Sequence, residues 1–168
     1  MIKDETYYFH QTPKDLAEAL IKFVDLKDGD KVFEPFKGEG AFYNAFPTNV
    51  VKDWTEIVEG KNYKDYTGDI DWVITNPPFR LDEGGKRENA FYKLLKYYTE
   101  RCKKGIAFLG NDSCFSTLTP KRLEELNNSG WYIHNIVCCS IKKWRGRYFF
   151  IIFKNEPSDF YKFCRDNY

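Results

Sequence analysis

Apolar and polar positions alternate along the chain in two patterns: short apolar runs, and longer segments in which apolar residues recur at helical spacing. The runs predict strands and the spaced segments predict amphipathic helices. The predicted strands are KVFEP, NVVKDWTEI, IDWVITN, GIAFLG, YIHNIVCCSI and RYFFIIF. The predicted helices are TPKDLAEALIKFVDL, AFYNAF, AFYKLLKYYTERC and TPKRLEELNN. This order predicts an α/β fold, with helices on both faces of a mostly parallel sheet and an antiparallel C-terminal hairpin strand.

Two Thr-Pro pairs mark the starts of helices. Thr12 is the predicted N-cap of the first helix and Pro13 its first helical residue, and Thr119-Pro120 repeats the arrangement. The apolar residues of the first helix, which we expect to be buried, are Leu16, Ala19, Leu20, Phe23 and Val24. The polar, Gly-rich stretch RLDEGGKREN has no apolar period and is predicted to be a mobile loop.

Length and composition place limits on the class of protein. A chain of 168 residues without repeats predicts one domain spanning residues 1–168. No apolar run reaches the roughly 18 residues of a membrane-spanning helix, and the N-terminal residues are too polar and acidic for a signal peptide. Five cysteines without a C-x-x-C spacing favour reduced thiols over disulfides or a metal site. We therefore expect an intracellular protein, cytoplasmic or in a nucleoid or nucleus, without a metal ion.

Charge is distributed unevenly although the net charge is only +1. Residues 1–85 carry 10 lysines and arginines against 17 acidic residues, whereas residues 86–154 carry 14 against 5. A basic half favours binding to a polyanion such as nucleic acid, although acidic neighbours in the folded protein could neutralise it.

The loop EPFKGEG follows the first predicted strand, and ligands of parallel sheets bind beyond the carboxyl ends of strands. Gly38 and Gly40 let the backbone turn tightly and approach a ligand there. Position 43 is tyrosine, unlike the third glycine of a dinucleotide-binding loop, and no triphosphate-binding loop occurs. Glu34 and Glu39 would repel a phosphate and suit an ammonium or sulfonium group. An ordinary strand–helix turn is the alternative.

The second predicted strand ends in acidic residues. A carboxylate at this place can accept both hydroxyl groups of a ribose. Glu56 is the better candidate by position and Glu59 the second, and a solvent-facing acid is the alternative for either.

The turn NPPF, residues 76–79, is the most specific signal. Neither Pro77 nor Pro78 has a backbone N–H, so the strand ends there in a rigid turn. The Asn76 side-chain oxygen and the Pro77 carbonyl can together accept both protons of one exocyclic amine, which leaves its lone pair for an electrophile. Phe79 offers a face on which an aromatic base can stack. A merely structural Pro-Pro turn is the alternative.

Together these motifs resemble those of S-adenosylmethionine-dependent methyltransferases, and most of all the N6-adenine DNA methyltransferases. The stretches that carry the resemblance are HQTP, EPFKGEG, TEI, GKNY and NPPF. Their order, with the Thr-Pro segment first, is similar to the gamma arrangement. Motifs cover residues 7–79, and residues 105–153 agree in strand pattern alone. The resemblance implies a Rossmann-like class I methyltransferase sheet, S-adenosyl-L-methionine as cofactor, and methyl transfer to N6 of adenine in DNA.

The resemblance also implies the residues of the site. The implied catalytic residues are Asn76, Pro77, Pro78 and Phe79. The implied cofactor-binding residues are Thr12, Pro13, Glu34, Pro35, Phe36, Gly38, Gly40, Glu56, Asn62, Tyr63 and Asn76. In the implied mechanism the adenine nitrogen attacks the methyl group directly and loses its proton afterwards, so catalysis is mostly positioning.

The chain departs from the family pattern in several ways. Glu34 and Asn62 stand where aspartate is usual. Only about fourteen residues separate Glu56 from the catalytic strand, so the third strand of the sheet is expected to be shrunken or absent. There is no evident target-recognition domain, and a larger partner could supply specificity.

The predicted C-terminal hairpin turn carries cations interleaved with aromatic rings. The candidate nucleic-acid-binding residues are Lys142, Lys143, Trp144, Arg145 and Arg147, together with Lys86 and Arg87 after the catalytic turn. An edge hairpin protected by charge is the alternative. DNA is the first choice of partner. The other candidate functions are an RNA methyltransferase (guanine N2 or adenine N6), a protein glutamine N5-methyltransferase and a non-catalytic nucleic-acid-binding subunit.

Overall fold

The structure is a computed structural model that describes residues 11–83 and 86–163, without the side chains of residues 82–88. Its strands are β1 (Lys31–Glu34), β2 (Val51–Trp54), β3 (Ile70–Thr75), β4 (Arg80–Glu83), β5 (Lys86–Asn89), β6 (Cys102–Asn111), β7 (Tyr132–Cys139) and β8 (Tyr148–Lys154). Its helices are α1 (Lys14–Ile21), α2 (Ala41–Ala45), α3 (Ala90–Thr99), α4 (Asp112–Phe115) and α5 (Pro120–Asn128). Two single-turn 3-10 helices, Ile57–Glu59 and Tyr63–Asp65, complete the secondary structure of the described residues.

Six strands form one sheet in the order β2-β1-β3-β6-β8-β7. The strands β2, β1, β3 and β6 are parallel, and β8 runs antiparallel to both of its neighbours. The predicted mostly parallel sheet with an antiparallel C-terminal strand is therefore confirmed. In the described part of the chain the sheet ends at β2, and only the two 3-10 turns lie between β2 and β3. This agrees with the expected loss of the third strand.

Alternate residues of the strands face two cores, one on each side of the sheet. Strand β6 directs Ile106 and Phe108 into a core covered by α3, and Ala107 and Leu109 into a second core covered by α1 and α2. Because helices cover both faces, the central strands are apolar on both sides, as parallel strands usually are.

Helix α1 differs in detail from its prediction. Its buried face consists of Ala17, Leu20 and Ile21. Of the residues expected to be buried, Ala19 and Phe23 are exposed, whereas Leu20 and Val24 are buried. The prediction of Thr12 as the N-cap is wrong, because Pro13 occupies the N-cap position and no side chain caps the helix. A sequence pattern locates a helix start only to within a residue or two.

The prediction of a mobile loop over RLDEGGKREN is also wrong for the residues that the structure describes. Residues 80–83 and 86–89 of this stretch form the antiparallel strands β4 and β5, in which Arg80 pairs with Asn89 and Glu83 with Lys86. Apolar periodicity missed this strand pair because the segment is almost entirely polar. Lys86 and Arg87 lie on β5, and their side chains are outside the described residues.

Candidate active site

The loops singled out by sequence meet at one edge of the sheet. Strands β1, β2, β3 and β6 are parallel, so all four end on the same side, which we call the carboxyl edge. The glycine loop (residues 35–40), the acidic turn (55–63) and the catalytic turn (76–79) follow β1, β2 and β3 there. Gln11, Thr12 and Pro13 reach the same edge before α1 begins.

The glycine loop needs glycine at two positions. Gly38 and Gly40 have φ angles of +54° and +85°, a left-handed region that side chains rarely adopt. A Cβ added at Gly38 would lie 2.6 Å from Oε1 of Gln11, and the same oxygen accepts a hydrogen bond from the Glu39 N–H at 3.1 Å. The residues before α1 therefore cross the glycine loop in close contact.

Glu34 supports the helix behind the glycine loop. Its side chain is 2% exposed, and its Oε2 accepts a hydrogen bond from the Tyr43 N–H in α2 at 2.7 Å. Burial raises the pKa of the Glu34 carboxyl well above its ordinary value and the nearby Glu56 adds to the rise, while the Tyr43 N–H and Lys37 oppose it. The carboxyl expected to meet a cationic ligand is thus engaged with the protein's own backbone.

Glu56 joins the acidic turn to the glycine loop. Its Oε2 accepts from the Gly38 N–H at 2.7 Å and its Oε1 from the Val58 N–H at 3.1 Å. A carboxylate has about four acceptor positions, so it can still accept from a ligand. Glu59, the second candidate, instead pairs with Lys37 at 2.9 Å. Ile57, which sequence reasoning did not single out, is 64% exposed beside Glu56.

Two further contacts brace the acidic turn. The ring of Trp54 has the Nζ atoms of Lys37 and Lys61 at 3.4 and 3.7 Å from its centroid, a cation–π arrangement that the sequence did not reveal. Thr55 Oγ1 donates to the Pro35 carbonyl at 2.8 Å. These contacts fix the distance between the first two loops of the site.

The residues predicted to contact the cofactor's adenine form a compact turn. The side-chain oxygen of Asn62 accepts from the Lys64 N–H at 3.0 Å and so begins the turn Tyr63–Asp65. The Tyr63 ring lies 5.1 Å from that of Phe36, which attaches the turn to the glycine loop.

The catalytic turn is held on two sides. Asn76 Nδ2 donates to Thr12 Oγ1 at 3.3 Å, and the Phe79 carbonyl accepts from the Ala90 N–H at the start of α3 at 3.0 Å. Pro77 is buried, while Asn76 and Pro78 are partly exposed. Phe79 is also only partly exposed, and its ring packs against both cores.

The loop between β7 and β8, residues 140–147, lies at the same edge because Tyr148 pairs with Asn111 at the end of β6. Its exposed cations are Lys142, Lys143, Arg145 and Arg147. The Arg147 Nε lies 3.0 Å from Oδ1 of Asp112 and 3.1 Å from its Oδ2, which ties the loop to α4.

Trp144 does not present its ring at the surface as predicted. Its side chain is 7% exposed and belongs to the core that α1 and α2 cover, with its ring 4.7 Å from that of Tyr148. An indole gains more free energy by leaving water than the neighbouring cations do, so it packs beneath the loop that they occupy. The loop therefore presents its cations at the surface without the exposed Trp144 ring that was expected between them.

Two further observations concern metal ions and membranes. Among the described residues, no cluster of three or more His, Cys, Asp or Glu side chains is placed to bind a metal ion. Within the same part of the chain, no helix has the length and apolar character needed to cross a membrane.

No protein-family model matches the chain, and no curated protein matches it. Many solved structures do resemble it. A provisionally named class I S-adenosylmethionine-dependent methyltransferase of Listeria monocytogenes shares 15% identity at a TM-score of 0.63, over 90% of this chain and 62% of that one. A provisionally named RNA methyltransferase of Pyrococcus horikoshii shares 14% sequence identity with a TM-score of 0.60, and the match covers 93% of each chain. The modification subunit of a provisionally named type I restriction enzyme from Vibrio vulnificus shares 16% sequence identity with a TM-score of 0.65. This match covers 86% of this chain and 44% of the Vibrio chain.

These similarities confirm the predicted fold, a Rossmann-like sheet of the class I methyltransferase type. The chain spans less than two thirds of the Listeria and Vibrio proteins and nearly all of the Pyrococcus protein. At 14–16% identity the likeness is one of fold.

Proposed function

We propose that this chain is an S-adenosyl-L-methionine-dependent methyltransferase that methylates the exocyclic N6 of adenine, with DNA as the polymer. The observation that carries the proposal is the Asn76-Pro77-Pro78-Phe79 turn at the carboxyl end of β3. Next to it along the carboxyl edge, β1 leads into the glycine loop, and Thr12 links the N-terminal segment to the turn. A rigid pair of oxygen acceptors is suited to hold the two N–H groups of an amine.

The residues at the carboxyl edge fit this cofactor. Gly38 and Gly40 adopt positive φ angles that turn the chain tightly beyond β1, and Gln11 fills the space that a side chain at position 38 would need. Glu56 lies just beyond β2 with acceptor capacity for ribose hydroxyl groups, and exposed Ile57 beside it offers an apolar surface for a purine. Asn62 lies near Glu56 because Lys61 pairs with Glu56 in an isolated β-bridge.

When bound, the cofactor supplies an electrophilic methyl group on a sulfonium, and a C–N bond forms as the C–S bond breaks. The chain's own task is to position the amine. The Asn76 side-chain oxygen and the Pro77 carbonyl accept its two protons, and Phe79 stacks on the base. The methylated nitrogen then releases one proton to water. Because the acceptors are fixed in advance, most of the acceleration comes from orientation and electrostatics.

The basic loop between β7 and β8 supports a nucleic acid as the acceptor. Lys142, Lys143 and Arg145 are exposed at the edge that carries the catalytic turn, where they can contact phosphates. A protein glutamine N5-methyltransferase would need no such cations. RNA is the second candidate, because the Pyrococcus protein that the chain matches over 93% of both lengths is named as an RNA methyltransferase.

The proposal is tested by incubating the protein with methyl-tritiated cofactor and, separately, with unmethylated DNA, total RNA or protein extract. We expect label in DNA, and none after Asn76→Ala, while calorimetry shows the Kd for the cofactor within about threefold of wild type because the amide acts on the acceptor amine. Asn49→Ala, at the opposite edge of the sheet, is the matched control and should retain activity. Label confined to protein would refute the nucleic-acid assignment, and transfer by Asn76→Ala would refute the assigned turn.

A further inference from the structure

The Thr12 hydroxyl takes no part in starting α1. The cap position belongs to Pro13, whose carbonyl accepts from the Ala17 N–H at 3.0 Å, and no side chain caps this helix. The Thr12 hydroxyl lies instead against the catalytic turn, where its oxygen accepts from Asn76 Nδ2 across 64 positions of sequence. A helix-start residue is thus diverted to a tertiary contact.

The backbone that carries Thr12 is fixed on both sides. Gln11 Oε1 accepts from the Glu39 N–H at 3.1 Å, which attaches the preceding residue to the glycine loop. Pro13 restricts the backbone on the other side through its ring. The Gln11–Thr12 pair therefore spans from the glycine loop to the catalytic turn, and it holds the hydroxyl at a set place relative to Asn76.

The orientation of the Asn76 amide decides whether the turn can work. A carboxamide has a donor end and an acceptor end, and only the acceptor end can take a proton from an amine. Turned by 180°, Asn76 would direct its NH₂ group at the target NH₂ group. The Thr12 oxygen accepts from the NH₂ end, so this contact selects the amide orientation in which Oδ1 is turned away from Thr12.

We infer that Thr12 is a positioning residue for methyl transfer, acting through the orientation of Asn76. This inference rests on the proposed function, and it replaces the cofactor contact that the resemblance implies for the Thr12 side chain. It predicts a defect in the rate of transfer, because a misoriented amide fails in the transition state and leaves cofactor binding unchanged.

The test compares Thr12→Val, which keeps the shape and lacks the hydroxyl, with Thr12→Ser, which keeps the hydroxyl. We expect Thr12→Val to lower kcat about tenfold, as the loss of one hydrogen bond allows, and to leave the cofactor Kd within about twofold. Thr12→Ser should remain near wild type. The matched control is Thr99→Val, which removes a hydroxyl bonded at 2.7 Å to the Lys96 carbonyl at the other end of the fold. It should retain activity.

Epistasis adds a sharper criterion. In Asn76→Ser the turn keeps a side-chain oxygen but has no amide to orient, so adding Thr12→Val should cause no further loss. Equal losses in both backgrounds would overturn the inference. So would a rise in cofactor Kd with kcat unchanged in Thr12→Val, because that pattern places Thr12 on the cofactor.

A readout independent of activity separates this inference from the proposed function. The side-chain NH₂ resonances of Asn76, assigned by their loss in Asn76→Ser, should shift in Thr12→Val and stay in place in Thr12→Ser. Unshifted resonances in Thr12→Val would overturn the inference even if the enzyme is active. A wild-type protein that labels no acceptor, with the expected shift present, would instead refute the proposed function alone.

Discussion

Replacing Glu56 by glutamine should destabilise the protein although the two side chains have nearly the same shape. The carboxylate uses one oxygen for the Gly38 N–H at 2.7 Å and the other for the Val58 N–H at 3.1 Å. A carboxamide has one oxygen, so its NH₂ group must face one of these two donors. Glu56 is 6% exposed, which limits access of water to the orphaned N–H.

The loss can be estimated from these contacts. A hydrogen bond to a charged acceptor contributes about 1.5–3 kcal/mol, and a buried donor left without a partner costs about 1–3 kcal/mol. We therefore expect Glu56→Gln to lower the free energy of unfolding by about 2 kcal/mol. With a urea m-value of about 2 kcal/mol/M, the unfolding midpoint should fall by about 1 M. Glu56→Ala leaves both N–H donors without their acceptor, so its unfolding midpoint should be lower still.

The assay is urea unfolding followed by circular dichroism without cofactor. Glu59→Gln is the matched control, because it breaks the ion pair of the exposed Glu59 carboxylate with the partly buried Lys37 and should cost about 1 kcal/mol or less. A Glu56→Gln protein as stable as Glu59→Gln would show that the two backbone contacts do not hold the loops together, and the reasoning would be wrong.

Three further predictions concern burial and charge. Folding raises the pKa of Glu34, so its contribution to stability is present at acidic pH and declines as pH rises through the folded value. The free energy of unfolding of Glu34→Gln, measured by urea unfolding relative to wild type, should therefore increase from pH 5 to pH 8. A difference that stays constant over this range would contradict the burial argument. Trp144→Ala should lower the free energy of unfolding by about 3–5 kcal/mol, as loss of a buried aromatic side chain does, and an unchanged unfolding midpoint would contradict its place in the core. Reversing the charges of Lys142 and Lys143 should weaken DNA binding at low salt and reduce the salt dependence of the Kd. An unchanged Kd across salt concentrations would show that the loop does not contact DNA.

The sheet could be predicted from sequence because its patterns are local. Buried parallel strands appear as apolar runs such as residues 70–75 and 105–110, and the amphipathic segment between them predicts the helix that connects parallel strands. The convergence of the three loops also follows from sequence, because parallel strands end at one edge. The β4–β5 strand pair was missed because polar strands have no apolar period.

The contacts inside the site could not be predicted, since they join residues distant in sequence. Nothing local indicates that Thr12 contacts Asn76 instead of capping a helix, or that Glu34 turns inward to α2. The lysines around Trp54 come from two different loops. Trp144 was misjudged because its neighbours in sequence are cations, whereas its neighbours in space are apolar.

The central claim is the chemical identity of the methylated atom. The most direct measurement is mass spectrometry of nucleosides released from DNA and RNA after incubation with the purified protein and S-adenosyl-L-methionine. We predict N6-methyldeoxyadenosine from DNA, and its loss in Asn76→Ala. Methylated guanosine as the sole product, or methyl groups found in neither nucleic acid, would contradict it.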